Sequence, residues 1–83
     1  MIYEYYTGGA ATIRKVNGEY VREAGGWAFA QVKDNKLIFS ASGHTDNTTN
    51  NAMELTAIHQ ALRHYITRYY SPENYDTIKI YSD

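Results

Sequence analysis

The chain has 83 residues, 43 % of them hydrophobic and 20 % charged, a composition typical of a single folded globular domain. Its formal net charge of −1 excludes long-range attraction to a polyanion or an anionic membrane, so any contact with nucleic acid depends on local groups. The absence of cysteine excludes a disulfide framework and a thiolate metal site, and with no basic leader and no long apolar run it indicates a cytoplasmic protein without a membrane span.

The first half of the sequence predicts three strands. Residues 2–7 are aromatic and β-branched around one glutamate, and the GGAA that follows predicts a flexible turn. Residues 13–24 are polar and charged, and the turn dipeptide Asn17-Gly18 predicts a small solvated hairpin there. Residues 27–32 and 36–42 are apolar runs separated by a short polar turn, which predicts an antiparallel pair.

The second half predicts one long helix. Residues 43–51 contain many side chains that compete for backbone hydrogen bonds, so they predict a loop, with Asn50 or Asn51 as the N-cap and Glu54 in the first turn. Pro72 ends the helix by Ser71. The apolar residues recur at three- and four-residue steps and predict the buried stripe: Leu55, Ile58, Leu62, Tyr65, Ile66 and Tyr69.

A fourth strand at residues 77–81 leads to Asp83 and, after a right-handed crossover, should lie parallel to strand one. Glu54 projects at the margin of the buried stripe, so both carboxylates can approach one edge of the sheet. Oxygen ligands placed in this way suit Mg²⁺ or Mn²⁺. Taken alone, the same two residues are also explained as a helix cap and a surface charge.

Four stretches resemble one family, in that family's order. TTNNAMEL, residues 48–55, is similar to the Thr-Asn-Asn-x-Met-Glu-Leu signature of type 1 ribonucleases H. GGWAFA and IKIYSD resemble the family's second strand and its fourth strand with a metal-binding aspartate. YTGGAATIRKVNGEY resembles its Tyr-Thr-Asp-Gly-Ser-Ala-Thr first strand and turn, so the resemblance covers nearly the whole chain.

This resemblance implies an α/β, ribonuclease H-like mixed sheet in the order β-β-β-α-β, one partial domain over residues 1–83 that is truncated after strand four. It also implies a hydrolase, an endonuclease that cuts the RNA strand of an RNA–DNA hybrid with two Mg²⁺ ions. Glu54 and Asp83 match metal-binding catalytic carboxylates of the family. Asn50 and Asn51 match asparagines that contact the minor groove of the hybrid, where 2′-hydroxyls are displayed.

The sequence departs from the family pattern in two places. The first catalytic aspartate of the pattern is replaced by Gly8, which has no side chain to bind metal. The family also continues beyond the strand-four aspartate, so we expect an open sheet edge that a second copy or a complementing fragment could cover. An alternative to the enzyme is therefore a catalytically impaired module that binds nucleic acid or a protein.

Several other residues have simpler interpretations. The three histidines, His44, His59 and His64, are expected to be solvated, because no acidic residue pairs with them in the pattern. Arg14, Lys15 and Arg22 are expected on the solvated hairpin, and Trp27 is expected to anchor the core. The tyrosines are expected to pack and not to bind bases.

Overall fold

The computed structural model of the protein describes residues 1–82. Within these residues it has four strands and one helix, namely β1 (Ile2–Val16), β2 (Glu19–Lys33), β3 (Lys36–Thr45), α1 (Asn50–Arg68) and β4 (Thr77–Ser82). The strands form a mixed sheet in the order β3-β2-β1-β4, in which β4 runs parallel to β1 as predicted. In this part of the chain no helix is long and apolar enough to cross a membrane, and no strand pairs with the outer edge of β4.

The strands β1 and β2 form a long hairpin of 15 residues each. Its turn is at Asn17-Gly18, as predicted, where both residues have positive φ, 52° and 83°. The prediction of a flexible turn at residues 8–11 is wrong, because these residues continue β1 and pair with residues 25–28 of β2. The ladder hydrogen bonds with β2 outweigh the weak strand propensity of glycine, since β4 pairs only with residues 2–7 of β1.

The N-terminus of α1 is capped by Thr49. Its side-chain oxygen accepts a hydrogen bond from the backbone N–H of Ala52 at 3.1 Å. The prediction of Asn50 or Asn51 as the cap is wrong, because the extended backbone of Thr49 (φ −125°, ψ 162°) makes Asn50 the first helical residue. Glu54 therefore lies in the second turn and not, as predicted, in the first.

The core lies between α1 and one face of the sheet. Tyr5 of β1 is completely buried there and packs with Phe29 of β2 and with Ala61 and Tyr65 of α1. Aromatic side chains from the sheet fill much of this space, and the helix adds two fully buried alanines together with the ring of Tyr65. Trp27 packs against this cluster, in agreement with its predicted role.

The buried face of α1 differs in part from the predicted stripe. Tyr65 is buried as predicted, whereas Leu55 and Ile66, which were assigned to the core, are 67 % and 59 % exposed. The other predicted residues of the stripe are partly buried: Ile58, Leu62 and Tyr69. The alanines Ala57 and Ala61 are fully buried, and small side chains at these positions let the helix lie close to the sheet. The residues of α1 that are buried are Met53, Ala57, Ala61, His64 and Tyr65.

His64 is part of the core, so the prediction that it is solvated is wrong. Its ring stacks on Phe39 with centroids 4.4 Å apart, and its Nδ1 lies 2.9 Å from the hydroxyl of Tyr5. Burial lowers the pKa of His64, and the positive charge of Arg68 lowers it further. The two other histidines are exposed, as predicted.

The start of β4 is held by Asp76. The hydroxyl of Tyr65 donates to Asp76 Oδ2 at 2.8 Å, and this hydrogen bond, followed by burial, raises the pKa of Tyr65 to about 12. The N-terminal ammonium lies 3.4 Å from Asp76 Oδ1, and the N–H of Thr77 donates to the carbonyl of Met1 at 2.9 Å. These contacts align the first residues of β1 and β4, which sets their parallel register.

Replacement of Gly9 by alanine should destabilise the fold. A Cβ at Gly9 would overlap the backbone carbonyl of Met53 and lie 2.7 Å from the nitrogen of Glu54. We expect Gly9→Ala to lower the free energy of unfolding in urea by about 1 to 3 kcal/mol. Gly8→Ala is the matched control, because a Cβ there meets nothing within 4 Å. Equal losses in the two variants would contradict close contact at Gly9.

The buried imidazole of His64 should make stability depend on pH. The groups that face it are Tyr5 from β1, Arg68 from α1 and Tyr69 after the helix, with Phe29 and Phe39 from β2 and β3. Since the folded pKa is lowered, the unfolded chain takes up the proton first as the pH falls. The stabilisation is therefore complete above pH about 6.5 and declines below it, by at most about 1.4 kcal/mol per pH unit.

We expect urea unfolding of the wild type to show this decline between pH 7.5 and 5.5, and His64→Gln to show a smaller slope over the same range. The comparison is of slopes, so a uniform loss of stability in the variant does not affect it. Identical slopes would show that His64 does not titrate differently in the folded and unfolded chains.

Candidate active site

A depression of about 510 Å³ lies where the first turns of α1 cross the hairpin. Glu54 from α1 and Gly8 from β1 both line it. Most of the other lining residues have little or no side chain: Gly9, Ala10, Gly26, Ala28, Ser42 and Gly43. The half-buried carboxylate of Glu54 therefore lies beside strand residues with small side chains or none. The structure thus brings Gly8 of β1 close to Glu54 of α1, the two positions at which the family pattern has a carboxylate.

Gly9 determines how closely Glu54 approaches the sheet. The backbone of Met53 and Glu54 occupies the space that a side chain at position 9 would fill. From the sequence alone, this glycine was predicted only as part of a turn. A glycine inside a strand pattern often marks the close approach of another backbone, and that signal could have identified Gly9.

Gly8 leaves an open space where the family pattern has a carboxylate. No heavy atom lies within 4 Å of the position that its Cβ would take. Gly8 also lines a concavity of about 580 Å³ with Tyr6 and Tyr81, whose rings stack with centroids 4.9 Å apart. A Cβ at position 8 would therefore fit without a shift of its neighbours.

The end of β4 lies next to this position. Ser82 is in register with Thr7, and the hydroxyl of Thr7 donates to the carbonyl of Tyr81 at 3.5 Å. The strand thus ends beside the residue that precedes Gly8. Asp83, the second predicted metal ligand, lies outside the described residues.

A magnesium or manganese ion requires several oxygen ligands. Among residues 1–82, no three His, Cys, Asp or Glu side chains lie close enough together to hold a metal ion. Glu54 is the one acidic side chain of the described chain that lines the depression. These residues therefore supply one carboxylate of the site that the resemblance implies, and position 8 supplies none.

Asn50 and Asn51 lie exposed at the N-terminus of α1, one helical turn before Glu54. The side-chain oxygen of Asn50 accepts a hydrogen bond from the backbone N–H of Ala11 at 2.6 Å. This contact ties the helix to β1, a structural role that sequence reasoning missed. The NH₂ group of the amide is still a donor, so Asn50 can contact a ligand while it holds the strand.

The sheet order, the crossover helix and a glutamate of that helix placed beside the central strand define a ribonuclease H-like α/β fold. A family model described as RNase H matches residues 2–83, and the chain belongs to the RNase H family. Members of this family are nucleases that bind RNA–DNA hybrids and generally depend on divalent metal ions. Comparison with curated proteins and with solved structures found no significant match.

Substitutions of Asn50 should show whether its side-chain oxygen stabilises the fold through the contact with Ala11. Asn50→Ala removes the acceptor for Ala11 N–H, so we expect the free energy of unfolding in urea to fall by about 0.5 to 1.5 kcal/mol. Asn50→Asp keeps an oxygen acceptor near the helix N-terminus, so its stability should stay close to that of the wild type. Asn51→Ala is the exposed control. If Asn50→Asp lost as much stability as Asn50→Ala, the contact with Ala11 would not be stabilising.

Proposed function

We propose that the chain is an RNase H-type nuclease domain that acts on the RNA strand of RNA–DNA hybrids by two-metal hydrolysis. The observation that carries the proposal is the shared depression of Glu54 and Gly8, beside the end of β4. In this proposal Glu54 and Asp83 are the catalytic metal ligands, and Mg²⁺ or Mn²⁺ is the cofactor. The ions, when bound, activate a water molecule and stabilise the leaving oxygen of a phosphodiester.

Asn50 and Asn51 are proposed to contact the minor groove of the hybrid. Both are exposed, at the same end of α1 as Glu54. An amide offers a donor and an acceptor together, which suits 2′-hydroxyls and the edges of bases. With a net charge of −1 the protein cannot depend on general attraction to the polyanion, so such local contacts are the expected mode of recognition.

A second candidate function is binding of the hybrid without cleavage. Gly8 favours it, because the position has room for a carboxylate and carries none. Loss of that one ligand would weaken the hold on the metal and leave the amides that contact the hybrid in place. The two candidates share a substrate and differ only in the chemical step.

Cleavage of a hybrid labelled on its RNA strand, in the presence of Mg²⁺, tests these proposals. We expect Gly8→Asp to cleave at least about tenfold faster than the wild type, because it restores an oxygen ligand in open space. Glu54→Gln should abolish the cleavage in either background. Gly8→Ala is the matched control, since it adds a Cβ without a ligand, and a DNA duplex of the same sequence should stay intact.

The outcomes separate the two functions. Cleavage by the wild type that depends on Glu54 supports the nuclease. Hybrid binding without cleavage by the wild type, together with cleavage by Gly8→Asp, supports the binding module. Absence of both binding and cleavage in all variants would overturn both proposals, and cleavage that survives Glu54→Gln would show that the site lies elsewhere.

A further inference from the structure

A second depression, of about 210 Å³, lies between the C-terminal half of α1 and the edge strand β3. We call it the arginine groove. Its walls include Gln60, Arg63, His64 and Arg68 from the helix, with Trp27 and Phe39 from the sheet. None of these side chains belongs to the metal or hybrid contacts proposed above.

The groove carries positive charge without a compensating carboxylate. Arg63 and Arg68 are exposed, and no Asp or Glu lines the groove. Within residues 1–82 the ion pairs are the N-terminus with Asp76 and Arg14 with Glu23, so neither arginine of the groove has an acidic partner there. The guanidinium of Arg68 lies over the ring of Phe39 at 5.4 Å, which holds it at the mouth of the groove.

His64 adds an imidazole to the groove. Burial raises the pKa of Tyr5 to about 12, so its hydroxyl stays protonated, and it shares a hydrogen bond with His64 Nδ1 at 2.9 Å. In the tautomer in which this hydroxyl donates to Nδ1, the proton of the neutral imidazole is on Nε2. No side-chain nitrogen of residues 1–82 is both buried and unpaired, so Nε2 reaches solvent, and the groove is the cavity that His64 lines.

We propose that the arginine groove binds a phosphate group. Two guanidinium forks line the groove beside an imidazole and have no acidic partner among the described residues, and planar guanidinium groups bind phosphate oxygens through paired charge-assisted hydrogen bonds. The depression is large enough for a phosphate, and its apolar floor strengthens such bonds by excluding water from one side. The phosphate could belong to a small molecule or to a nucleic-acid strand.

The position of the groove is compatible with a strand bound at Glu54. Trp27 lines both depressions, so they are neighbours along the boundary between α1 and β2. In α-helical geometry, Arg63 lies about 14 Å along the axis from Glu54 and about 180° around it. The axial part of that separation corresponds to about four nucleotides of a duplex strand. The nucleic-acid source of the phosphate rests on the proposed function, whereas binding of a free phosphate does not.

The test follows the imidazole NMR signals of the purified chain while inorganic phosphate replaces chloride at constant ionic strength and pH 7.5. We expect a saturable shift of the His64 signals and a rise of the His64 pKa in phosphate, because a bound anion favours the imidazolium. His44 and His59 are exposed and lie outside the groove, so they serve as internal references.

The double variant Arg63→Gln/Arg68→Gln should bind phosphate at least about tenfold more weakly. Both side chains are exposed, so the variant should fold, which its thermal unfolding verifies. Lys15→Gln/Arg22→Gln removes the same charge from the exposed hairpin and should bind like the wild type. Absence of a saturable shift, or a shift that survives in Arg63→Gln/Arg68→Gln, would overturn the proposal.

A second arm uses Glu54→Gln with an intact RNA–DNA hybrid and so identifies the source of the phosphate. If the hybrid shifts the His64 signals and competes with phosphate, a strand phosphate occupies the groove. If the hybrid binds without affecting His64 while inorganic phosphate does, the groove takes a small phosphate. Failure of the hybrid to bind at all would count against the proposed function, and the phosphate titration would still decide on the groove.

Discussion

Direct contact between α1 and β1 at Gly9 is the constraint on which the other features of this structure depend. The helix backbone at Met53 and Glu54 occupies the space that a Cβ at position 9 would need. Helix and strand are therefore closer there than an amino acid with a side chain would allow. The same approach brings Asn50 within 2.6 Å of the backbone of Ala11. It also places Glu54 at a depression that is lined mostly by glycine, alanine and serine. A single glycine thus positions both the predicted metal ligand and the amide next to it.

A helix held so close to the sheet has small residues, Ala57 and Ala61, at positions that are fully buried. Ala61 packs with Tyr5 and Phe29, and much of the core volume comes from aromatic rings. His64 lies among those rings, and it is tolerated there because the hydroxyl of Tyr5 satisfies its Nδ1. The remaining ring nitrogen opens to the arginine groove, so a packing arrangement in the core also creates a polar site at the surface.

Membership of the RNase H family defines a type of chemistry, and the structure places the residues to which that chemistry is assigned in our proposal. The proposed hybrid contacts and the proposed metal ligand are separate, since Asn50 and Asn51 lie on the exposed helix end and Glu54 lies in the depression. Nothing lies within 4 Å of a Cβ at Gly8, so the packing around this position does not fill the space of a side chain. Under the proposal, recognition of a hybrid and its hydrolysis would therefore depend on different residues.

The sequence by itself determined the features that depend on local chemistry. Asn17-Gly18 forms a turn because both residues tolerate positive φ, the helix ends before Pro72, and the β-β-β-α-β order with a parallel β4 follows from the pattern and from crossover handedness. TTNNAMEL and three further stretches in the same order predicted the family that the family model then matched.

Only the tertiary structure decided the features that depend on contacts between elements distant in the sequence. Residues 8–11 form a strand because β2 pairs with them. Thr49 is the cap because the helix begins at Asn50, one residue after the cap and before Asn51. The choice between two apolar faces of α1, and with it the burial of His64, depends on rings from distant strands. No periodicity within the helix contains that information, because the side chains that fill the core come from elsewhere in the chain.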